Sequence, residues 1–255
     1  MAPRARARSG GCSQAGSRRE QNEDRYLIGA DQRLFVVADG VGGNRHGEVA
    51  SLLAVQAIQQ SLALDASPGQ SHWHLRWPRA TDGRELLRGA ILDAHRALRT
   101  TIQVHPELDA MRTTVVVLML GDDHATVAHV GDSRAYRVRA EHLVRLTEDH
   151  SLAQLMYRSD VIPEALVPVH PWRHVLTQTV GGEDEPSVEV TRVAAEAGDM
   201  FLLCSDGLTE MLSEEQIISR VCCREPIEDR CRNLVEAAQT EGGRDDITVV
   251  LVAVE

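Results

Sequence analysis

Four apolar runs of strand length in this chain each end or begin at an aspartate. Leu34–Ala38 runs into Asp39-Gly40, Thr126–Val130 into Gly131-Asp132, and Met200–Cys204 into Ser205-Asp206-Gly207, while Asp245-Asp246 opens Ile247–Val254. The runs are short and rich in Val, Ile and Leu, which favours strands over helices. Together with Val115–Leu120 and Ala135–Val138 they mostly follow one another in sequence, without a helix between each pair. That order predicts antiparallel sheets with helices outside, an α+β fold with a central β-sandwich. In an antiparallel sheet the start of one strand lies beside the ends of its neighbours, so the four acidic positions are predicted to converge on one rim.

Helical periodicity fills the intervals. Val49, Leu52, Val55, Ile58 and Leu62 recur every three or four residues, as do apolar residues from Leu86 to Ile102. Ser213-Glu-Glu-Gln216 is a capping box ahead of Ile217, Ile218 and Val221, and Pro226 opens a further helix running to about Thr240. Residues 65–82 read as a loop, and residues 147–182, with Pro163, Pro168 and Pro171, as a short helix followed by a mobile excursion of the kind that covers sites. The expected organisation is a disordered basic tail at 1–12 and one domain over 13–255.

Composition removes whole mechanisms. All 27 Lys plus Arg residues are arginine, so lysine Schiff bases and P-loop lysines are excluded. A formal charge of −11 argues against nucleic-acid binding, which calls for a basic stripe. The five cysteines contain no C-x-x-C pair, which fits a reducing compartment. With no apolar leader or membrane-length run, the reading is a cytoplasmic protein with no membrane partner.

Crowded carboxylates repel one another and raise each other's pKa, a conflict that hard divalent cations resolve. Two Mg²⁺ or Mn²⁺ ions close together can activate water and clamp a phosphoryl group. The competing reading is that Asp-Gly pairs are ordinary turn signals. Arg19, just before Asn22-Glu23-Asp24, supplies a fork suited to phosphate, although within an arginine-rich stretch it also reads as a solvated residue. Gly42-x-x-x-x-Gly47 lacks the Lys and Ser/Thr of a P-loop. His72-x-His74 and His170-x-x-x-His174 read as surface histidines, and Cys222-Cys223 as the buried face of the helix starting near Ser213.

Arg19-x-x-Asn22-Glu23-Asp24, Ala38-Asp39-Gly40-Val41-Gly42-Gly43 and Gly47-Glu48-Val49-Ala50-Ser51 resemble the opening motifs of the metal-dependent protein phosphatase 2C family. The likeness continues through Thr113-Thr114, His129–Arg134, Leu146–Ser151, Leu176–Gly181, Ser205-Asp206-Gly207 and Gly242–Thr248, covering residues 13–255 in the family's order, and is nearest the compact bacterial serine/threonine phosphatases. It implies a four-layer α-β-β-α sandwich with a flap at 147–180 and a binuclear Mn²⁺/Mg²⁺ centre. By matching position, Asp39 bridges both ions, Gly40 offers its carbonyl, and Asp206 and Asp245 hold the first. Asp24 acts on the second ion through water, Asp132 joins Asp206 at a weaker third, and Arg19 binds phosphate. Glu23 and Asp246 lie behind these ligands.

Three positions depart from the family pattern. Val41 replaces a histidine that is a candidate general acid in many eukaryotic members, which leaves the acid unassigned, with His46 either a substitute or a solvated helix-start residue. Asp246 replaces the commoner Asn, adding charge that would tighten metal binding or shift its pH dependence. Asn44 stands where bacterial relatives often have His. The expected function is hydrolysis of phosphoserine and phosphothreonine, with phosphorylated proteins, a cognate serine/threonine kinase and its substrates as partners and a monomeric state. The alternatives are a catalytically weak regulatory module and an unrelated two-metal nuclease.

Overall fold

The computed structural model describes residues 6–41, 46–63 and 83–255. One five-stranded antiparallel sheet runs β1 (Ala7–Gln14), β12 (Ile247–Val254), β11 (Met200–Cys204), β8 (Arg134–Arg139), β9 (His142–Arg145). The other runs β10 (Glu189–Ala194), β7 (His124–Val130), β6 (Val115–Leu120), β3 (Leu34–Ala38), β2 (Arg25–Ile28). A short pair, β4 (Gly40–Val41) and β5 (Arg112–Thr113), carries the chain away from β3.

The apolar runs are continuous, not alternating, because both faces of each central strand are buried. Along β3, Leu34, Val36 and Ala38 face α1 (Gly47–Ala63) and α2 (Gly83–Val104), while Phe35 and Val37 face the opposite sheet. Along β12, Ile247, Val249 and Leu251 pack under α4 (Asp206–Thr209), α5 (Glu214–Val221) and α6 (Ile227–Thr240), whereas Val250, Val252 and Val254 fill the space between the sheets. The period-2 division of side chains thus produces the expected helix–sheet–sheet–helix stack. The Ser213 capping box forms with both its hydrogen bonds, and Pro226 caps α6.

One boundary is corrected. Residues 7–12, assigned above to a disordered tail, belong to β1, which pairs along its full length with β12. Its sequence, ARSGGCSQ, looks unstructured because main-chain pairing and close approach shape it more than apolar side chains do. A Cβ on Gly10 would lie 3.1 Å from the Glu228 backbone of α6, and one on Gly11 would lie 2.5 Å from the Tyr26 ring. One further expectation shifts: helix α5 stops at Val221, so Cys222 is its half-buried C-cap and Cys223 lies beyond it. After Thr147 comes the expected short helix, α3 (Leu152–Arg158), then a 3₁₀ turn at Glu164–Val169, and the segment is tied back by Ser151–Leu176 and Thr113–Val180 bridges. The readings placed on Gly42, Gly43, Asn44 and the 65–82 loop with His72 and His74 lie outside the described residues.

Candidate active site

Strand register explains why the acids meet. Arg25 pairs with Ala38, which sets Asp24 beside Asp39 at the end of β2 and β3. Gln14 pairs with Ile247, so the chain leaving β1 passes Asp245 and Asp246. Cys204 pairs with Val249, which brings Ser205 and Asp206 to the same end of the other sheet. Asp132 follows β7 through Gly131, whose φ of +104° makes the turn and whose missing Cβ leaves room for Thr114.

The backbone under these acids is fixed from several sides. The Asp39 carbonyl accepts the Thr114 N–H at 2.8 Å and the Thr113 hydroxyl at 2.7 Å. Thr114 Oγ1 in turn meets Ser133 Oγ at 2.7 Å, next to Asp132. Gly40 is wedged so tightly that a Cβ there would lie 2.3 Å from the Gly47 carbonyl oxygen, and one on Gly207 would lie 2.1 Å from that of Asp246. The acid-bearing turns therefore have little freedom to spread apart.

Their carboxyl groups are correspondingly unsettled. Asp24 is 1% exposed, its Oδ2 accepts the Ser205 hydroxyl at 2.8 Å, and its Oδ1 is buried without a partner. Asp206 Oδ1 and Glu23 Oε2 are likewise buried without a hydrogen-bond partner. Burial, followed among the raising influences by Asp246 and Asp206, pushes Asp24 up to about 7. Burial, then Glu210 and Asp245, does the same to Asp206, up to about 7. Asp39 is held well above the usual carboxylate range by burial and by Asp24, Asp206, Asp132 and Asp245, and Asp132 rises by burial and Asp206. Buried oxygens without donors, on acids that discourage each other's ionisation, are the donor set a hard divalent cation takes up. The residues present fit Mn²⁺ or Mg²⁺.

Arg19 stands at the mouth of this rim. Its Nη2 lies 2.6 Å from Asp245 Oδ1 and its Nη1 3.7 Å from Glu23 Oε2, with the side chain 30% exposed. It is thus not simply a solvated residue. His46, by contrast, starts α1, its carbonyl accepting the Val49 and Ala50 N–H groups.

Asp246 has a more specific place than an added charge. Its Oδ1 accepts the Gly16 N–H at 2.9 Å and its Oδ2 the Glu23 N–H at 2.7 Å, stapling the 16–23 segment to the start of β12. Only a carboxylate accepts at both atoms; an amide would turn an NH₂ toward one of these donors. Asp246→Asn is therefore expected to cost about 1–3 kcal/mol, read as a lower midpoint in urea unfolding at constant slope.

One neighbour of the site was missed. His174 is a surface histidine, as read, with its side chain 41% exposed, yet its Nδ1 lies 2.5 Å from Glu210 Oε1, and His174, Asp206 and Glu210 bring ligand atoms within 4.8 Å of one another. The legible signal was Glu210, one helical turn beyond Asp206 and so on the same side of α4. Nothing in the spacing of His170 and His174 pointed there.

Known proteins resemble this chain in sequence and fold. The family profile described as protein phosphatase 2C matches residues 14–251. The protein phosphatase PhpP of Streptococcus pneumoniae is 31% identical over 244 residues, covering 93% of this chain and 94% of its own. The crystal structure of the Mycobacterium tuberculosis serine/threonine phosphatase PstP/Ppp superposes with a TM-score of 0.85 at 29% identity, over 97% of this chain and 98% of that one. The PstP catalytic domain in complex with two manganese ions gives a TM-score of 0.80 at 30% identity, covering 97% and 98% of the two chains.

Proposed function

Because this chain belongs to the protein phosphatase 2C family, we infer that it is a metal-dependent enzyme that hydrolyses phosphoserine and phosphothreonine in proteins. The observation that carries this reading is the set of buried, unpaired carboxylate oxygens of Asp24 and Asp206 around Asp39. In this reading Asp39, the Gly40 carbonyl, Asp206 and Asp245 would hold the two ions, with Asp24 assisting through water, and Asp132 with Asp206 would hold a weaker third. When bound, Mn²⁺ or Mg²⁺ supplies an activated water and neutralises charge developing on the phosphoryl group.

The chain's own residues do the positioning. The Thr113 and Thr114 contacts keep Asp39 from turning out of the rim. Arg19, now paired with Asp245, would present its permanently charged fork to the phosphoryl oxygens. Glu23 and Asp246 hold the segment that carries Asp24 and Arg19. Val41 offers no proton to the leaving alkoxide, so that proton is supplied from elsewhere. The physiological partners in this reading are a serine/threonine kinase and its targets. Among the described residues no helix is long and apolar enough to cross a membrane.

The test is hydrolysis of p-nitrophenyl phosphate with and without Mn²⁺ or Mg²⁺. Metal-dependent turnover supports the enzyme; metal binding without turnover under either ion favours the regulatory module. In the same assay Arg19→Ala is expected to raise KM about tenfold with a smaller change in kcat, since it removes a contact made in the ground state. An unchanged KM would remove Arg19 from phosphate binding.

A further inference from the structure

Away from the rim, three side chains from separate segments meet beside an open cleft. Glu189 of β10 stands directly across from His129 of β7 in the antiparallel register. The His150 ring lies 4.7 Å from that of His129, and its Nε2 is 3.7 Å from Glu189 Oε1. One ligand atom from each residue falls within 4.8 Å of the others. Both histidines are buried, at 3% and 8% exposure, yet His150 and Glu189 line a cleft with Gln154, Arg158 and Thr177 that gives solvent a way in.

We propose that His129, His150 and Glu189 form a binding site for Zn²⁺, separate from the carboxylate rim and coupled to it through Gly131. Two imidazoles and one carboxylate are a borderline-soft donor set that suits zinc over magnesium. The 3.7 Å between His150 Nε2 and Glu189 Oε1 is near the roughly 3.3 Å that separates neighbouring donors around a tetrahedral zinc. A metal-binding imidazole usually gives its other N–H to a carbonyl, and His129 already does so, donating from Nε2 to the Glu148 carbonyl at 2.7 Å. With Nε2 engaged there, ligation is assigned to Nδ1. Burial holds both rings in the neutral form that ligation requires, against the opposing pull of Glu189. Arg158 contacts Glu189 Oε1 at 2.8 Å but also pairs with Glu148, so it keeps a partner when Glu189 turns to the ion.

Binding at His150 has a consequence at the rim. Its Nδ1 now accepts the Gly131 N–H at 3.2 Å, which places the ring's proton on Nε2. Ligation through Nε2 moves that proton, by way of water, to Nδ1. The ring stays neutral, but two N–H groups then face each other and that contact breaks, leaving the Gly131 carbonyl, which accepts the His150 backbone N–H at 3.0 Å, as the remaining tie between the two residues. Gly131 immediately precedes Asp132, so zinc here loosens Asp132 and lowers activity.

The experiment counts zinc bound by the full chain in equilibrium dialysis with excess Mn²⁺, alongside activity. Wild type is expected to hold one more zinc than Glu189→Gln, to bind it at least about tenfold more tightly, and to be inhibited by it. Glu189→Gln is expected to keep its Mn²⁺-dependent activity and resist that inhibition. His150→Asn, whose Oδ1 still accepts the Gly131 N–H but offers no imidazole, is expected to lose the same zinc. No zinc retained by wild type, or equal zinc and equal inhibition in all three proteins, would overturn the proposal. The zinc count does not depend on the phosphatase reading, whose failure would appear separately as wild type inactive with Mn²⁺ alone.

Discussion

Asp39→Asn is expected to lower kcat by about 10³-fold or more, roughly 4 kcal/mol of transition-state stabilisation, while the protein still folds. The Asp39 carbonyl, not its carboxyl group, is what Thr113 and Thr114 hold, so the amide leaves those contacts in place. The substitution also removes one of the mutually repelling charges, so thermal stability without metal is expected to rise. Loss of activity with gain of metal-free stability separates a functional carboxylate from a structural one. A variant both unstable and inactive would mean that Asp39 chiefly supports the fold.

The second large effect is the dependence of stability on metal and pH together. Asp24 and Asp206 sit at about 7 in the folded protein against 3.8 when unfolded. Between those values the folded state binds more protons than the unfolded one, so metal-free stability falls as pH rises from about 4 to about 7. Bound cations reverse the trend, because ionised carboxylates then gain a partner and protons compete with metal. Added Mn²⁺ is thus expected to change Tm little near pH 5 and strongly near pH 8. At a hundredfold excess over Kd each ion adds about 2.7 kcal/mol, or roughly 5–10 °C for a chain of this size. A Tm increment independent of pH, measured by calorimetry with and without chelator, would contradict this.

Most of the sandwich was legible because its strands are buried on both faces. Val115–Leu120, Met200–Cys204 and Ile247–Val254 begin and end where their apolar runs do. Strands held mainly by main-chain pairing at an edge or on a half-exposed surface were not legible. β1 carries two glycines demanded by α6 and Tyr26, and β10, EVTRVA, is mostly half-buried or exposed. The rim was legible for a related reason: aspartates at strand boundaries keep their place whatever the loops do. What sequence could not supply was the partner of each carboxyl oxygen. Asp246 read as extra negative charge and proved to hold two backbone amides, a role only three-dimensional proximity discloses. His174 was hidden for the same reason, since its neighbours Asp206 and Glu210 lie more than thirty residues along the chain.

The claim on which the rest depends is that this rim holds the catalytic ions. Crystals grown with Mn²⁺ and measured near the manganese absorption edge test it directly. Two strong anomalous peaks are expected on either side of the Asp39 carboxylate, within ligand distance of the Gly40 carbonyl and the Asp206 and Asp245 carboxylates, with a weaker third toward Asp132. Manganese absent from Asp39 in crystals of protein with full Mn²⁺-dependent activity would contradict it.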